Sequence, residues 1–422
     1  MRIAIIGAGA SGLVMGRHIK TFCSEFDIYE RRNCIGGNWR DRESPGSPPD
    51  EDMIACSPLY DLLRTNTPVD SVTFDGLNYD TEECFIHWTD VNKYLKDYAN
   101  KFGLTEHIFL DTEVFNVSWT DNEWRINFRN NLNGEIDEKY YNFVIVCNGH
   151  EEYPNIPDYE GLSEFKGIKL HSKRYRNPKH YKNQRVLVIG VGPSGSDIAL
   201  QLLSEADTVY FSHHHEDFSD GRYPANLIQK PDVKKFNNNS VIFEDDTECE
   251  IDAVIFCTGY VHNIDFIDKS CGVELGEKYI RNLYKQMFSI EHPSLIFIGY
   301  PRLFFIFPLI EWQAKLAIKI VSGQVALPSK EEMYEDTKAW EQNHRNEGKK
   351  ERQFFELKTL ARDYMRGLSE VGRFEYPPEA LFDMFNTYFY QFKNHPTVFK
   401  KHFYKIVNSE FIFKPCSELN SH

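Results

Sequence analysis

The strongest constraint on the fold is a pattern that occurs twice. Residues 2–6 (Arg-Ile-Ala-Ile-Ile) are an apolar run, the loop Gly7-Ala8-Gly9-Ala10-Ser11-Gly12 follows, and residues 13–22 read as a helix. About 180 residues later the order recurs: residues 185–189 are apolar, Gly190-Val191-Gly192-Pro193-Ser194-Gly195 follows, and residues 196–203 read as a helix. A lone G-x-G-x-x-G is weak evidence, because glycine-rich turns are common. Between a buried strand and a helix each glycine has a mechanical reason. Gly7 permits the tight turn, Gly9 lets a pyrophosphate reach the backbone, and Gly12 lets helix and strand pack closely. The helix N-terminus then offers unpaired N–H groups and partial positive charge to phosphates. Two such starts predict an α/β chain with two Rossmann-like dinucleotide-binding domains.

The sequence after each loop distinguishes the ligands. Residues 26–30 form the second strand of the first unit and end in Glu30, eighteen residues after Gly12, where a carboxylate can hold ribose hydroxyls. Gly36-Gly37-Asn38-Trp39 comes next, and a bare Gly-Gly backbone can lie against a ribityl chain. This favours FAD at the first loop, held by Gly7, Gly9, Ala10, Ser11, Gly12, Glu30, Gly37, Asn38 and Trp39. In the second unit the strand 208–211 runs into Ser212-His213-His214-His215, with no acid at the place of Glu30. An acid there would repel a 2′-phosphate, whereas Ser212 and His213 tolerate or bind one. NADP(H) is therefore favoured over NAD(H), through Gly190, Gly192, Pro193, Ser194, Gly195, Ser196, Asp197, Ser212 and His213. The histidine run is read as a solvated loop. Adjacent residues rarely converge on one ion and no further ligand cluster is in sight, so no metal is expected.

The 422 residues suffice for two or three domains. The expected division is an FAD-binding domain over 1–178, an NADP-binding domain over 179–262, and a return to the FAD-binding domain with a helical C-terminal region over 263–422. Residues 44–53 read as a surface loop and 89–102 as a helix. Residues 113–146 alternate like an antiparallel β insertion with a hairpin turn at Asn133-Gly134, and apolar strands at 143–147 and 253–257 end at Asn148-Gly149 and Thr258-Gly259. The role of the aromatic-rich residues 330–422 is not legible.

A net charge of −15 argues against a nucleic-acid partner and against binding acidic membrane surfaces. Anionic cofactors must then be held locally, by backbone N–H groups and helix termini. The longest apolar stretch, residues 303–310, is far short of the roughly 20 residues a membrane helix needs. The nine cysteines contain no Cys-x-x-Cys, which argues against zinc and against a flavin disulfide reductase. Reduced thiols fit the cytoplasm, with an already removed secretory leader as the open alternative. A homo-oligomer is compatible with the sequence.

Phe165-Lys166-Gly167-Ile168-Lys169-Leu170-His171-Ser172-Lys173-Arg174-Tyr175 matches the pattern F-x-G-x-x-x-H-x-x-x-[YF] just before the second glycine loop. In this the chain resembles the flavin-containing monooxygenase family. Baeyer–Villiger relatives carry Trp at the last position, where Tyr175 stands. Thr65-Asn66-Thr67-Pro68 is similar to the family's T-N-x-P stretch, whose Asn lies over the flavin. Phe256-Cys257-Thr258-Gly259-Tyr260 resembles its A-T-G-Y strand end, and Phe307-Pro308 with Glu311 and Gln313 its F-P-x-x-E-x-Q segment. The Arg often found after the second strand of the NADP unit is replaced by the histidine run, and the apolar tail of membrane-bound animal members is missing. The chain is instead similar to short soluble members, including insect enzymes that N-oxygenate plant alkaloids.

The resemblance implies that NADPH reduces FAD, that a C4a-hydroperoxyflavin forms with O₂, and that one oxygen passes to a small-molecule nucleophile, a tertiary amine or a sulfide. It implies Asn66 as the catalytic residue. It also implies cofactor contacts from Thr65, Asn66, Thr67, Val114, Thr258, Gly259, Phe307 and Gln313. His171 is read as ordering the linker between domains in preference to direct catalysis. The absence of a Ser-His-Asp set or paired carboxylates agrees with chemistry carried by a cofactor. The alternatives are a Baeyer–Villiger or amine-hydroxylating relative and, from another class, a non-catalytic dinucleotide-binding protein that would turn over little NADPH with O₂.

Overall fold

A fully apolar strand needs cover on both faces, and two such strands organise this chain. In the computed structural model, which describes residues 1–40, 56–214 and 223–419, β1 (Ile3–Ile6) sits inside a seven-stranded sheet with all four residues buried. It pairs in parallel with β2 (Phe26–Tyr29), Ile3 opposite Phe26, and with the strand Phe143–Val146, Ile3 opposite Phe143. Helix α1 (Ala10–Lys20) connects β1 to β2 and buries Leu13, Val14, Met15 and Ile19. Helix α2 (Trp88–Lys101) buries Val91, Tyr94, Leu95 and Tyr98 in the same core, the face expected from their spacing. The strand Leu295–Phe297 pairs with Phe143–Val146, so the chain leaves this sheet and rejoins it later.

The second sheet repeats the plan. Arg185–Ile189 lies between Thr208–Ser212 and Ala253–Phe256, all parallel, with Val186 opposite both Val209 and Ala253. Helix α3 (Pro193–Leu202) follows its glycine loop. The strand Ile168–His171 closes one edge of this sheet although it precedes residue 179. In each sheet the glycine loop leaves the carboxyl end of a strand whose neighbours lead away on opposite sides, the crevice where open α/β sheets take ligands.

Both loop helices begin earlier than their sequence suggested, at Ala10 and Pro193, so Gly12 and Gly195 lie within the first helical turn. Proline at the first helical position has no N–H to leave unpaired and its φ already suits a helix. The antiparallel insertion is present as Thr112–Thr120, Glu123–Asn130 and Ile136–Tyr141, with Gly134 at φ +75° in the turn. A second antiparallel sheet, Val233–Phe236, Ser240–Phe243 and Glu248–Glu250, was not foreseen.

The C-terminal region supplies α4 (Ile306–Val321), α5 (Lys330–Asn346), α6 (Ala361–Gly372) and α7 (Glu379–Asn394). The expectation of a mostly helical end needs one correction. Phe403–Val407 and Glu410–Lys414 form a hairpin, with Asn408 and Ser409 at φ 51° and 66°. Two successive left-handed residues match the strand twist, and Asn is among the few side chains that accept that conformation. Among the described residues no helix is long and apolar enough to cross a membrane. The loop expected over 44–53 and His215 lie outside the described residues.

Candidate active site

The two glycine loops have nearly the same geometry. Gly7 and Gly190 turn at φ +105° and +107°. A Cβ on Gly12 would stand 1.8 Å from the Gly7 carbonyl oxygen, and one on Gly195 would stand 1.8 Å from that of Gly190. Gly12 and Gly195 lock strand to helix and do not line the cleft. Gly9 stands at the N-cap position of α1 and Gly192 at that of α3. Neither cap has a side-chain hydrogen bond and neither first turn has an acid, so their N–H groups remain available to an anion. A Cβ on Gly37 would come within 3.1 Å of Gly9 Cα, so backbone lies on backbone beside the first helix end. Glu30 is 7% exposed; its Oε2 accepts from Ala8 N at 2.9 Å and its Oε1 from Arg32 N at 3.0 Å. Each carboxylate oxygen retains a second acceptor position for a ribose hydroxyl.

Both loops open on one cavity of about 2850 Å³. Of the residues expected near the first cofactor, Gly7, Gly9, Ala10, Ser11, Glu30, Gly37, Asn38 and Trp39 line it. Thr65, Asn66, Thr67, Val114 and Phe307 form further wall. From the second unit, Gly192, Pro193, Ser194, Ser196 and His213 line the same space.

Other expected contacts sit behind the wall. Gly190 turns the second loop against the Cys257 carbonyl. Ser212 is fully buried and donates to the Pro231 carbonyl at 2.8 Å. Thr258 donates to the Asn155 carbonyl, and the Gly259 carbonyl accepts from His171 Nε2 at 2.9 Å. Gln313 is fully buried; its Oε1 accepts from Gly299 N at 2.8 Å and its Nε2 donates to the Tyr364 hydroxyl at 2.9 Å. It joins α4 to the strand end at Gly299 and to α6. Asp197 is held by the Tyr60 hydroxyl at 2.5 Å and by Lys400 at 2.7 Å.

His171 is fully buried, and burial lowers its pKa to about 4. It is therefore neutral, donating from Nε2 to Gly259 and accepting at Nδ1 from Lys173 N at 3.2 Å. That arrangement ties the segment before the second loop to the strand end at Gly259.

Features that no sequence motif flagged also face the cavity. Arg31, Arg32, Arg40 and Lys173 cluster on one wall of this acidic molecule, with Glu152 ion-paired to Arg31 and Arg32. Burial, aided by Arg40, Arg32 and Arg31, lowers Lys173 to about 8 although the Cys56 thiol opposes this. Lys173 Nζ donates to the Glu152 carbonyl at 2.6 Å. Asn148 and His150 line the cavity beyond Phe143–Val146, with Asn148 Oδ1 accepting from the Tyr300 hydroxyl at 2.6 Å. From the C-terminal region come Phe304, Phe385, Phe389, Tyr390 and Phe392. Only their chain path could have revealed them, since aromatic residues read equally well as core.

These residues fit a pair of dinucleotides. Two uncapped helix N-termini offer N–H groups to two pyrophosphates, Glu30 offers ribose acceptors, and the basic cluster offsets anionic charge locally. His213 bonds Gln229 Oε1 at 2.9 Å and His214 pairs with Asp232. Among the described residues no group of His, Cys, Asp and Glu could hold a metal ion.

Comparison with known proteins agrees with this geometry. The sequence model of a family described as flavin-binding monooxygenase-like matches residues 1–228 and 222–387. The chain is 37% identical over 344 residues to senecionine N-oxygenase of Tyria jacobaeae, covering 79% of this chain and 74% of that protein. It is 31% identical over 364 residues to the flavin-containing monooxygenase FMO GS-OX3 of Arabidopsis thaliana, covering 80% of this chain and 77% of that protein. The S-allyl-L-cysteine S-oxygenase of Allium sativum superposes with a TM-score of 0.87 at 28% identity, over 95% of each chain.

Proposed function

The chain belongs to the flavin-binding monooxygenase-like family, and on that premise we propose that it uses FAD, NADPH and O₂ to place one oxygen atom on a tertiary amine nitrogen or a sulfide sulfur. The balance is NADPH, a proton, O₂ and substrate giving NADP⁺, water and oxygenated substrate. Bound FAD supplies the electron transfer and the oxygen activation. The observation that carries the reading is that two uncapped helix N-termini, α1 and α3, open on one cavity whose wall contains Asn66.

The residues then have separate tasks. The N–H groups at the start of α1 hold the FAD pyrophosphate, and Glu30 accepts from the adenosine ribose. The start of α3, with Ser194, holds the NADP pyrophosphate. Asn66 donates a hydrogen bond within the cavity to an oxygen held there. The division 1–178 and 263–422 for the flavin unit and 179–262 for the nicotinamide unit follows, with Ile168–His171 lending an edge strand to the latter. None of the nine cysteines is joined in a disulfide, which supports a reducing compartment such as the cytoplasm.

The aromatic wall supports an amine or sulfide of apolar character. Ring faces attract a cationic amine. Removal from water then favours its neutral form, whose nitrogen lone pair is the nucleophile. The relatives' names point to nitrogen in one case and sulfur in another.

The test is purified protein with bound yellow flavin, assayed for NADPH consumption and products with a tertiary amine, a sulfide and a cyclic ketone. N-oxide or sulfoxide formation matched to NADPH use is the expected result; lactone as the main product would replace this reading with Baeyer–Villiger chemistry. Asn66→Ala is expected to keep flavin and NADPH oxidation while releasing hydrogen peroxide. Product per NADPH falls about tenfold or more, since a buried hydrogen bond contributes roughly 1–3 kcal/mol. Unchanged coupling removes Asn66 from the reaction.

A further inference from the structure

Lys400 lies beyond residue 387, where the family match ends, yet it touches Asn66. Its Nζ donates to Asn66 Oδ1 at 2.9 Å, to Asp197 Oδ1 at 2.7 Å and to the Arg64 carbonyl at 3.4 Å. An ammonium has three protons and no acceptor, so these contacts use its whole capacity. Asp197 belongs to α3, and its second oxygen accepts from the Tyr60 hydroxyl at 2.5 Å and from Gln201 Nε2 at 2.9 Å. The segment bearing Lys400 is itself anchored. Phe399 is buried edge-on against Phe85, and Ile406 N donates to Asp70 Oδ2 at 2.6 Å.

We propose that Lys400 is a positioning residue that sets the orientation of the Asn66 amide and couples it to the nicotinamide unit through Asp197. The reasoning is electrostatic. An amide can turn either its oxygen or its amino group toward a neighbour, and an ammonium attracts the first and repels the second. Lys400 therefore holds the Asn66 carbonyl, which leaves the amide N–H groups as the end that can serve the cavity Asn66 lines. Without the ammonium the amide is free to present its oxygen, an acceptor that repels an electron-rich oxygen ligand. The Asp197 carboxylate keeps the ammonium in place, so any shift of α3 is transmitted to the amide.

This inference rests on the reading of Asn66 as the donor in the cavity, and the test separates the two. Lys400→Met is expected to retain flavin and NADPH oxidation and leave KM for the amine nearly unchanged. Its hydrogen peroxide per NADPH should rise about tenfold toward the Asn66→Ala level, the size of one charge-assisted hydrogen bond lost. Lys400→Arg recovers most of the coupling, and adding Lys400→Met to Asn66→Ala raises peroxide no further. Asn66→Asp keeps the contact to Lys400 but has no N–H, so it uncouples as Asn66→Ala does. Thermal unfolding supplies a readout independent of turnover, in which the two single substitutions combine non-additively.

A Lys400→Met protein as well coupled as the parent, beside an uncoupled Asn66→Ala, overturns the role of Lys400 and leaves Asn66 standing. Full coupling in Asn66→Ala overturns the reading beneath it. If Lys400→Met does not fold, a coupled Asn66→Asp still refutes the amide argument.

Discussion

At Gly192 nothing stands within 4 Å of the place a Cβ would occupy, whereas at Gly195 a carbonyl oxygen stands 1.8 Å from it. The two glycines of one motif therefore predict different phenotypes. Gly192→Val is expected to fold and keep its flavin but to lose reduction by NADPH, because the new side chain projects where the pyrophosphate would lie. Loss of flavin with NADPH binding kept would mean the two loops are assigned the wrong way round. Gly195→Ala forces strand and helix apart and is expected to lower stability by about 1–3 kcal/mol or more, measured by denaturant unfolding.

His171 gives a pH prediction at the same scale. Its folded pKa is about 4 against an ordinary 6.5, so the unfolded chain binds the extra proton between those values. Stability from this group is complete above pH 6.5 and declines as pH falls toward 4, by at most about 1.4 kcal/mol per pH unit. Buried His262, lowered to about 3, adds in the same direction. Melting temperatures at pH 7 and pH 5 should differ accordingly, and His171→Gln should flatten the difference; an equal slope in the variant refutes the assignment.

Elements were legible where periodicity is strict. The parallel strands, α2 and the hairpin at Asn133-Gly134 follow from apolar runs, a helical face and a turn dipeptide. The C-terminal hairpin was hidden because Asn408-Ser409 is a weaker turn signal and the flanking residues are aromatic on both faces. Its anchor is Tyr404, fully buried against Phe85 and Phe413 with ring centroids at 5.6 Å and 5.2 Å. The Tyr404 hydroxyl has no hydrogen-bond partner among the described residues. Tyr404→Phe is therefore expected to be neutral or stabilising by about 1 kcal/mol, while Tyr404→Ala costs roughly 3–5 kcal/mol. Equilibrium denaturation distinguishes the two, and a clearly destabilised Tyr404→Phe would show that the hydroxyl is satisfied.

For the whole molecule, the chain passes through the first sheet, builds the second, and returns to cover the first. The C-terminal segment shields Phe85 and carries Lys400 to Asn66, 334 positions away. Removing residues 396–422 leaves both glycine loops intact, so flavin-dependent NADPH oxidation should persist. Stability should fall by at least the roughly 1.5–3 kcal/mol of one large apolar side chain exposed, and the peroxide share should rise. A shortened chain with parental melting temperature and coupling would mean the segment has no part in the site. The charge distribution belongs to this scale as well: a molecule of net charge −15 gathers Arg31, Arg32, Arg40 and Lys173 around one cavity.

What the sequence determined alone was local. Glycine spacing and apolar runs specify two strand–glycine turn–helix units because strand, turn and helix conformations depend on neighbours a few residues away. The family stretches around Asn66 and His171 were legible for the same reason. The tertiary structure decided which distant groups meet: that Lys400 faces the Asn66 amide, that Gln313 and Ser212 sit behind the wall, and that aromatic residues of α7 border the cavity. Such contacts depend on the path of the whole chain, and a residue type read at one position does not specify what packs against it.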